Sequence, residues 1–390
     1  MAEQRDETKA IRIQSDRTHE KEHSTPMYLT SSFVFDDAEE MRTTFAAERE
    51  GNIYSRFTNP NVKEFVDKMV ALEGVEAGYA TATGMAAVFA SIAALLKTGD
   101  HILVCRSIFG SSHTVFTKIL PKWGITHTYV SIDDQDSWES AVEENSKMLF
   151  IETPSNPAVD LVDMEKAGKL AKKHGLIFNV DNCFSTPAIQ KPVEFSADII
   201  IHSATKYLDG QGRVMGGVVL GRKDLIDEVY TFCRSTGPAI SPFNAWVLSK
   251  SLETLYLRME RHSENALKLA KYLEAHPGVE IVKYPFLLSH PQYEIAQKQM
   301  KSGGGIVSFK IKGELKDGVD FLNNLKMCSL TANLGDTRTI VSHPASTTHA
   351  KLTEDERLSV GITPNLLRIS VGLENIIDII ADIDQAIIAK

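Results

Sequence analysis

Between residues 101 and 222 short apolar runs alternate with polar stretches that carry helix signals. HILVCRS (101–107), ITHTYVSI (125–132), KMLFIETPSNP (147–157), LIFNVDN (176–182), ADIIIHSATKY (197–207) and RVMGGVVLGR (213–222) read as strands, several of them rich in β-branched residues. IFGSSHTVF starts a helix, 136–144 reads as another, and VDMEKAGKLAKKHG forms a third with Gly175 as its stop. Strands and helices in alternation imply an α/β fold with a mostly parallel sheet wrapped by helices. Ligands of such sheets bind beyond the C-terminal ends of the strands. Asp181 and the segment 203–206 fall there.

Lys206 follows the apolar run Ile199, Ile200, Ile201 and the hydroxyls of Ser203 and Thr205. A lone lysine at a strand-to-loop junction is most often simply exposed. Here Asp181 ends a neighbouring apolar run, so a carboxylate and an amine are expected at one sheet edge. A lysine at the end of a buried strand is poorly hydrated, which lowers its pKa and frees the amine as a nucleophile. That pair suits pyridoxal 5'-phosphate (PLP): the lysine for the Schiff base, the acid to keep the pyridine nitrogen protonated. The hydroxyls of Ser203 and Thr205 suit a phosphate.

Two further stretches fit an anion. Gly84 and Met85 open an Ala-rich helix, where free backbone N–H groups and the helix dipole favour negative charge. In GNIYSRFTNPN, Tyr54 and Arg56 stand two apart and point to one side of an extended chain, either as a phosphate clamp or as an exposed loop. In LLRISVG, Arg368 alternates with apolar neighbours; buried there, it needs an anion, whether a salt-bridge partner or a substrate carboxylate. His343 and His349 are titratable but receive no role.

The HSATKY segment with VDN upstream resembles the Cys/Met-metabolism group of PLP enzymes, over nearly the whole chain from about Gln14 onward. The resemblance implies PLP-dependent transferase fold type I (aspartate aminotransferase-like), with a large, mostly parallel sheet domain and a smaller C-terminal α/β domain. It divides the chain into an arm (1–60), a PLP-binding domain (61–249) and the smaller domain (250–390). It implies that Tyr54 and Arg56 reach into a neighbouring subunit to hold the PLP phosphate, hence a homo-oligomer, of which the family suggests a homotetramer of two catalytic dimers. Asn156 is implied to contact the ring hydroxyl, Arg368 the substrate α-carboxylate, and Asn333 the vicinity of that carboxylate, where the lyases commonly carry serine.

Phe109 occupies the position of a tyrosine that in most relatives stacks on the ring and helps the leaving group depart. Phenylalanine still stacks but donates no proton, which favours a carboxylate leaving group. The S-x-F-G pattern at this position resembles the branch acting on O-succinyl-L-homoserine with sulfide, and so implies γ-replacement giving homocysteine and succinate. The acetyl ester, cysteine as nucleophile (cystathionine synthesis), γ-elimination, and a non-catalytic PLP-binding relative are the alternatives.

Composition bounds the rest. At 390 residues the chain holds two or three domains with real cores. A net charge of -9 and no basic tract argue against nucleic acid, and no apolar run reaches membrane-spanning length. The polar start MAEQRDETKA is no signal peptide. The four cysteines are widely spaced, which points to reduced thiols in a cytoplasm and to no bound metal. Cys183, close to Asp181, reads as a small buried filler, with a place in the wall of the site as the alternative. The N-terminal 60 residues have weak periodicity, 61–72 is an amphipathic helix bearing Phe65, Met69 and Leu72, and a mostly helical stretch from residue 242 gives way to strands at 277–285, 303–313, 327–335 and 366–374 separated by helices.

Overall fold

A computed structural model describes residues 4–347, 350, 353–358 and 361–387. His349 lies outside them. Seven strands build the first sheet: β1 (Ala77–Thr81), β2 (His101–Cys105), β3 (Thr126–Val130), β4 (Ser146–Glu152), β5 (Ile177–Asp181), β6 (Ile199–Ser203) and β7 (Gly217–Gly221). Their order is β1-β7-β6-β5-β4-β2-β3. The run from β3 to β6 is parallel throughout, whereas β7 runs antiparallel to both β6 and β1. The central strands are buried on both faces, which is why they appear as unbroken apolar runs instead of alternating ones.

Helices cover both faces. Pro60–Glu73 is capped by Asn59 and turns Phe65, Met69 and Leu72 into the core, all fully buried. Met164–His174 is capped by the Asp163 carboxylate and ends at Gly175, whose φ of 65° is the left-handed conformation a helix stop needs. The stretch read as a helix over 136–144 is a 3-10 turn, Gln135–Ala141. The stretch after Phe109 is a short helix, Gly110–Thr114, that widens into a π-helical turn at Val115–Ile119.

The long helix Leu255–Ala275 leads to a second, five-stranded sheet of β8 (Val279–Lys283), β9 (Ile306–Ile311), β10 (Ser329–Leu330), β11 (Ile340–Ser342) and β12 (Leu366–Ser370), ordered β10-β11-β12-β9-β8. Its own core joins Val307, Phe309, Leu367 and Ile369 to Leu269 and Leu273 of that helix and to Ile379 and Ile383 of the C-terminal helix Ile376–Ala386. The strand expected across 327–335 shrinks to the two residues of β10. The first 60 residues, periodically weak, contain two short helices, Asp6–Arg12 and Ala38–Phe45, joined by extended chain that bridges Ser32 to Tyr54. No helix among the described residues is long and apolar enough to cross a membrane, and no group of metal-ligating side chains is gathered there.

Candidate active site

The parallel strands deliver their last residues to one sheet edge. Register sets Glu152 of β4 beside Asp181 of β5, and β6 hands the chain through Ser203 to Lys206. A cavity of about 220 Å³ opens there. Its walls include Gly84, Met85, Phe109, Asn156, Asp181, Ser203, Thr205, Lys206 and Arg368, so nine of the residues singled out from sequence meet in one space.

Lys206 is largely withdrawn from solvent, and burial lowers its ammonium pKa, as does the Arg368 charge. Its Nζ donates to Asn333 Oδ1 at 2.5 Å. Asp181 is 9% exposed; burial pushes its carboxyl up to about 6, against the Cys183 N–H that donates to Oδ1 at 3.0 Å. Cys183 is therefore no core filler. It is half-buried, lines the cavity, and its backbone helps hold Asp181.

The start of the helix Gly84–Ala93 faces β6. Thr83 caps it through Ala86 N–H, while the N–H groups of Gly84 and Met85 meet no acceptor among the described residues. The contact is close enough that a Cβ on residue 84 would lie 2.5 Å from Ser203 Cβ. Backbone donors and the Ser203 hydroxyl thus share one end of the cavity, while Thr205 Oγ1 also exchanges hydrogen bonds with Gly216.

Arg368 enters from the second sheet. It is buried on β12, and burial brings its guanidinium down to about 10. Nη1 donates to Asn156 Oδ1 at 2.9 Å and Nη2 to the Asn333 carbonyl at 3.1 Å. Nε is buried without a protein partner, and no carboxylate forms an ion pair with Arg368 among the described residues. A buried cation with an orphaned donor, satisfied otherwise only by neutral oxygens, is built for an anion from outside the chain.

A pyridine ring with an aldehyde and a phosphate fits this donor set: an amine of low pKa, a carboxylate, and an anion cradle. Tyr54 and Arg56 are not part of this wall. Arg56 packs over the rings of Tyr54 and Phe57 and donates to the Arg234 carbonyl, and Tyr54 is 41% exposed. His343 is also remote from the chemistry, held by Ser346 Oγ and the Pro364 carbonyl.

Sequence reasoning gave no role to two features. Glu152 lies in the cavity wall, 4% exposed, and accepts the Phe109 N–H at 2.6 Å. Its signal was the one that picked out Asp181, an acid closing an apolar run. Behind Asp181, buried Glu73 accepts from Asn182 Nδ2 at 3.0 Å and pairs with His202 Nε2 at 2.6 Å, bracing the turn after β5 against β6.

The family model described as Cys/Met metabolism PLP-dependent enzyme matches residues 7–388. An O-succinylhomoserine sulfhydrylase of Pseudomonas aeruginosa is 46% identical over 98% of this chain and 95% of its own length. An L-methionine gamma-lyase of Fusobacterium nucleatum subsp. polymorphum is 42% identical over 93% of this chain and 92% of its own. A solved structure of an O-acetylhomoserine (thiol)-lyase from Campylobacter jejuni, carrying N'-pyridoxyl-lysine-5'-monophosphate, superposes with a TM-score of 0.94 at 33% identity, covering 98% of this chain and 100% of that one.

Proposed function

The chain belongs to the Cys/Met-metabolism PLP-dependent enzymes, and we propose that within them it catalyses γ-replacement on O-succinyl-L-homoserine with sulfide. The Cγ–O bond breaks, succinate leaves with its electron pair, hydrosulfide forms the Cγ–S bond, and L-homocysteine is released. When bound, PLP supplies the electron sink conjugated to the substrate α-carbon. Lys206 holds the cofactor at rest and, once freed, moves protons at Cα and Cβ as general base and acid. Asp181 keeps a proton on the ring nitrogen. Gly84, Met85, Ser203 and Thr205 bind the phosphate, Asn156 the ring hydroxyl, and Arg368 the α-carboxylate as a bidentate pair, with Asn333 beside it.

Phe109 carries the choice of reaction. It lines the cavity at 41% exposure and presents a ring with no acidic hydrogen. A departing thiolate needs a proton; a departing carboxylate does not. The succinyl ester is favoured over the acetyl ester by the relatives named O-succinylhomoserine sulfhydrylase, from Pseudomonas aeruginosa and, at 42% identity, Mycobacterium tuberculosis. The relatives named L-methionine gamma-lyase support elimination as the second reading, and Phe109 counts against it.

The exposed Tyr54 beside half-buried Arg56, and the apolar Leu29, Val34 and Phe45 exposed on the same arm, support a site shared between copies. In this reading residues 1–60 form an arm that reaches the partner's phosphate, 61–249 bind PLP, and 250–390 close over the substrate. The assembly is a homotetramer of two such dimers, and the protein acts in the cytoplasm in methionine biosynthesis.

The test is product analysis with O-succinyl- and O-acetyl-L-homoserine, each with sulfide and with cysteine. Homocysteine from the succinyl ester and sulfide is the expected main product. Cystathionine as main product, or turnover of the acetyl ester alone, would move the chain to a neighbouring reaction.

A further inference from the structure

Glu152 and Asp181 end adjacent strands in register, and both face the cavity almost closed to water. Among the described residues Glu152 forms no ion pair, and its side chain has one hydrogen bond, from Phe109 N–H. Two buried carboxylates side by side, neither in ion-pair contact with a cation among the described residues, do not both ionise, so one proton stays with the pair. The other titratable or charged groups facing them are Cys183 beyond β5, Lys206 after β6, Arg368 on β12 and Cys105 on β2. Of the two cations, Lys206 is held by Asn333, and Arg368 by Asn156 and Asn333.

The surroundings divide the pair. Asp181 has the Cys183 N–H and the field of His202 behind it. Burial and then the negative charge of neighbouring Asp181 raise the Glu152 carboxyl well above the ordinary range, outweighing the Phe109 N–H and the Arg368 charge. We propose that Glu152 is a positioning residue that works as a neutral carboxylic acid. It fastens the Phe109 backbone to the end of β4 and keeps the proton of the pair, so that the charge stays on Asp181 for the cofactor ring. The proposal rests on the assignment of Asp181 to that ring.

Glutamine preserves both features, a neutral group and a carbonyl oxygen for the Phe109 N–H. Alanine preserves neither the contact nor the position of Phe109, and leaves a backbone donor without its partner. The experiment compares full-length wild type, Glu152→Gln and Glu152→Ala. Infrared difference spectra of wild type minus Glu152→Gln at neutral pH are expected to contain the C=O stretch of a protonated carboxyl. The PLP dissociation constant, followed by absorbance across pH, is expected to weaken about tenfold in Glu152→Ala and to be rescued in Glu152→Gln with its acid limb intact. Absence of the protonated-carboxyl band, or a Glu152→Gln variant as weak as Glu152→Ala, overturns the proposal. Should Glu152→Ala not fold, the band and the Glu152→Gln pH profile decide. If wild type itself takes no PLP, the cofactor reading fails, and the band still reports where the proton sits.

Discussion

Lys206 stands in surroundings that disfavour its charge: burial and the Arg368 guanidinium both lower its pKa, and its one side-chain hydrogen bond among the described residues runs to a neutral amide. A desolvated amine of this kind is a better nucleophile and base near neutral pH than an exposed lysine. Lys206→Ala is therefore expected to cut turnover by at least about 10³-fold, the scale of a lost general base, and to weaken PLP retention while the fold persists. Product formation and the visible absorbance of the dialysed variant measure both. Substantial turnover would remove Lys206 from the chemistry. Asp181 and Arg368 were legible by the same signal, an ionisable group set into or ending an apolar run. Glu152 carries the same signal, but its meaning depends on standing beside Asp181, a fact of sheet register that no local pattern contains.

The element that shapes the anion end of the cavity is the helix Gly84–Ala93, which starts against β6. A methyl group on Gly84 would meet Ser203 Cα at 2.8 Å and its Oγ at 2.8 Å, so Gly84→Ala must push the helix start away from the strand. Overpacking of this kind costs about 1–3 kcal/mol. Gly84→Ala is expected to lower the melting temperature modestly and to loosen PLP binding more than stability alone explains, because the backbone donors move with the helix. Equal PLP affinity in the variant would place the phosphate elsewhere. The parallel strands were readable because burial on both faces makes them continuous apolar runs. The reversal of β7, and the brevity of β10 and β11, were not, since strand direction and length there are set by distant partners. The two arm helices escaped for a different reason: Asp6–Arg12 buries only Ala10 and Ala38–Phe45 only Thr44, so neither has an apolar stripe to read.

The molecule brings together two sheets with separate cores, one presenting Lys206 and the other Arg368. If the arm of one copy completes the site of another, defects in different parts of the chain must complement. Co-expressed Lys206→Ala and Arg56→Ala chains, each nearly inactive alone, are expected to regain about one quarter of wild-type activity. Random pairing makes about half the two-fold dimers mixed, with one intact site in each. No recovery in purified mixed dimers would mean that each chain builds its site alone. One further consequence lies in Asn333. Its main-chain oxygen accepts from Arg368 Nη2, and its side-chain oxygen accepts from the amine of Lys206. One residue of this chain thus ties the buried guanidinium of the second sheet to the amine that follows the first. Whatever shifts Asn333 to admit an anion at Arg368 therefore shifts the acceptor of the Lys206 amine with it.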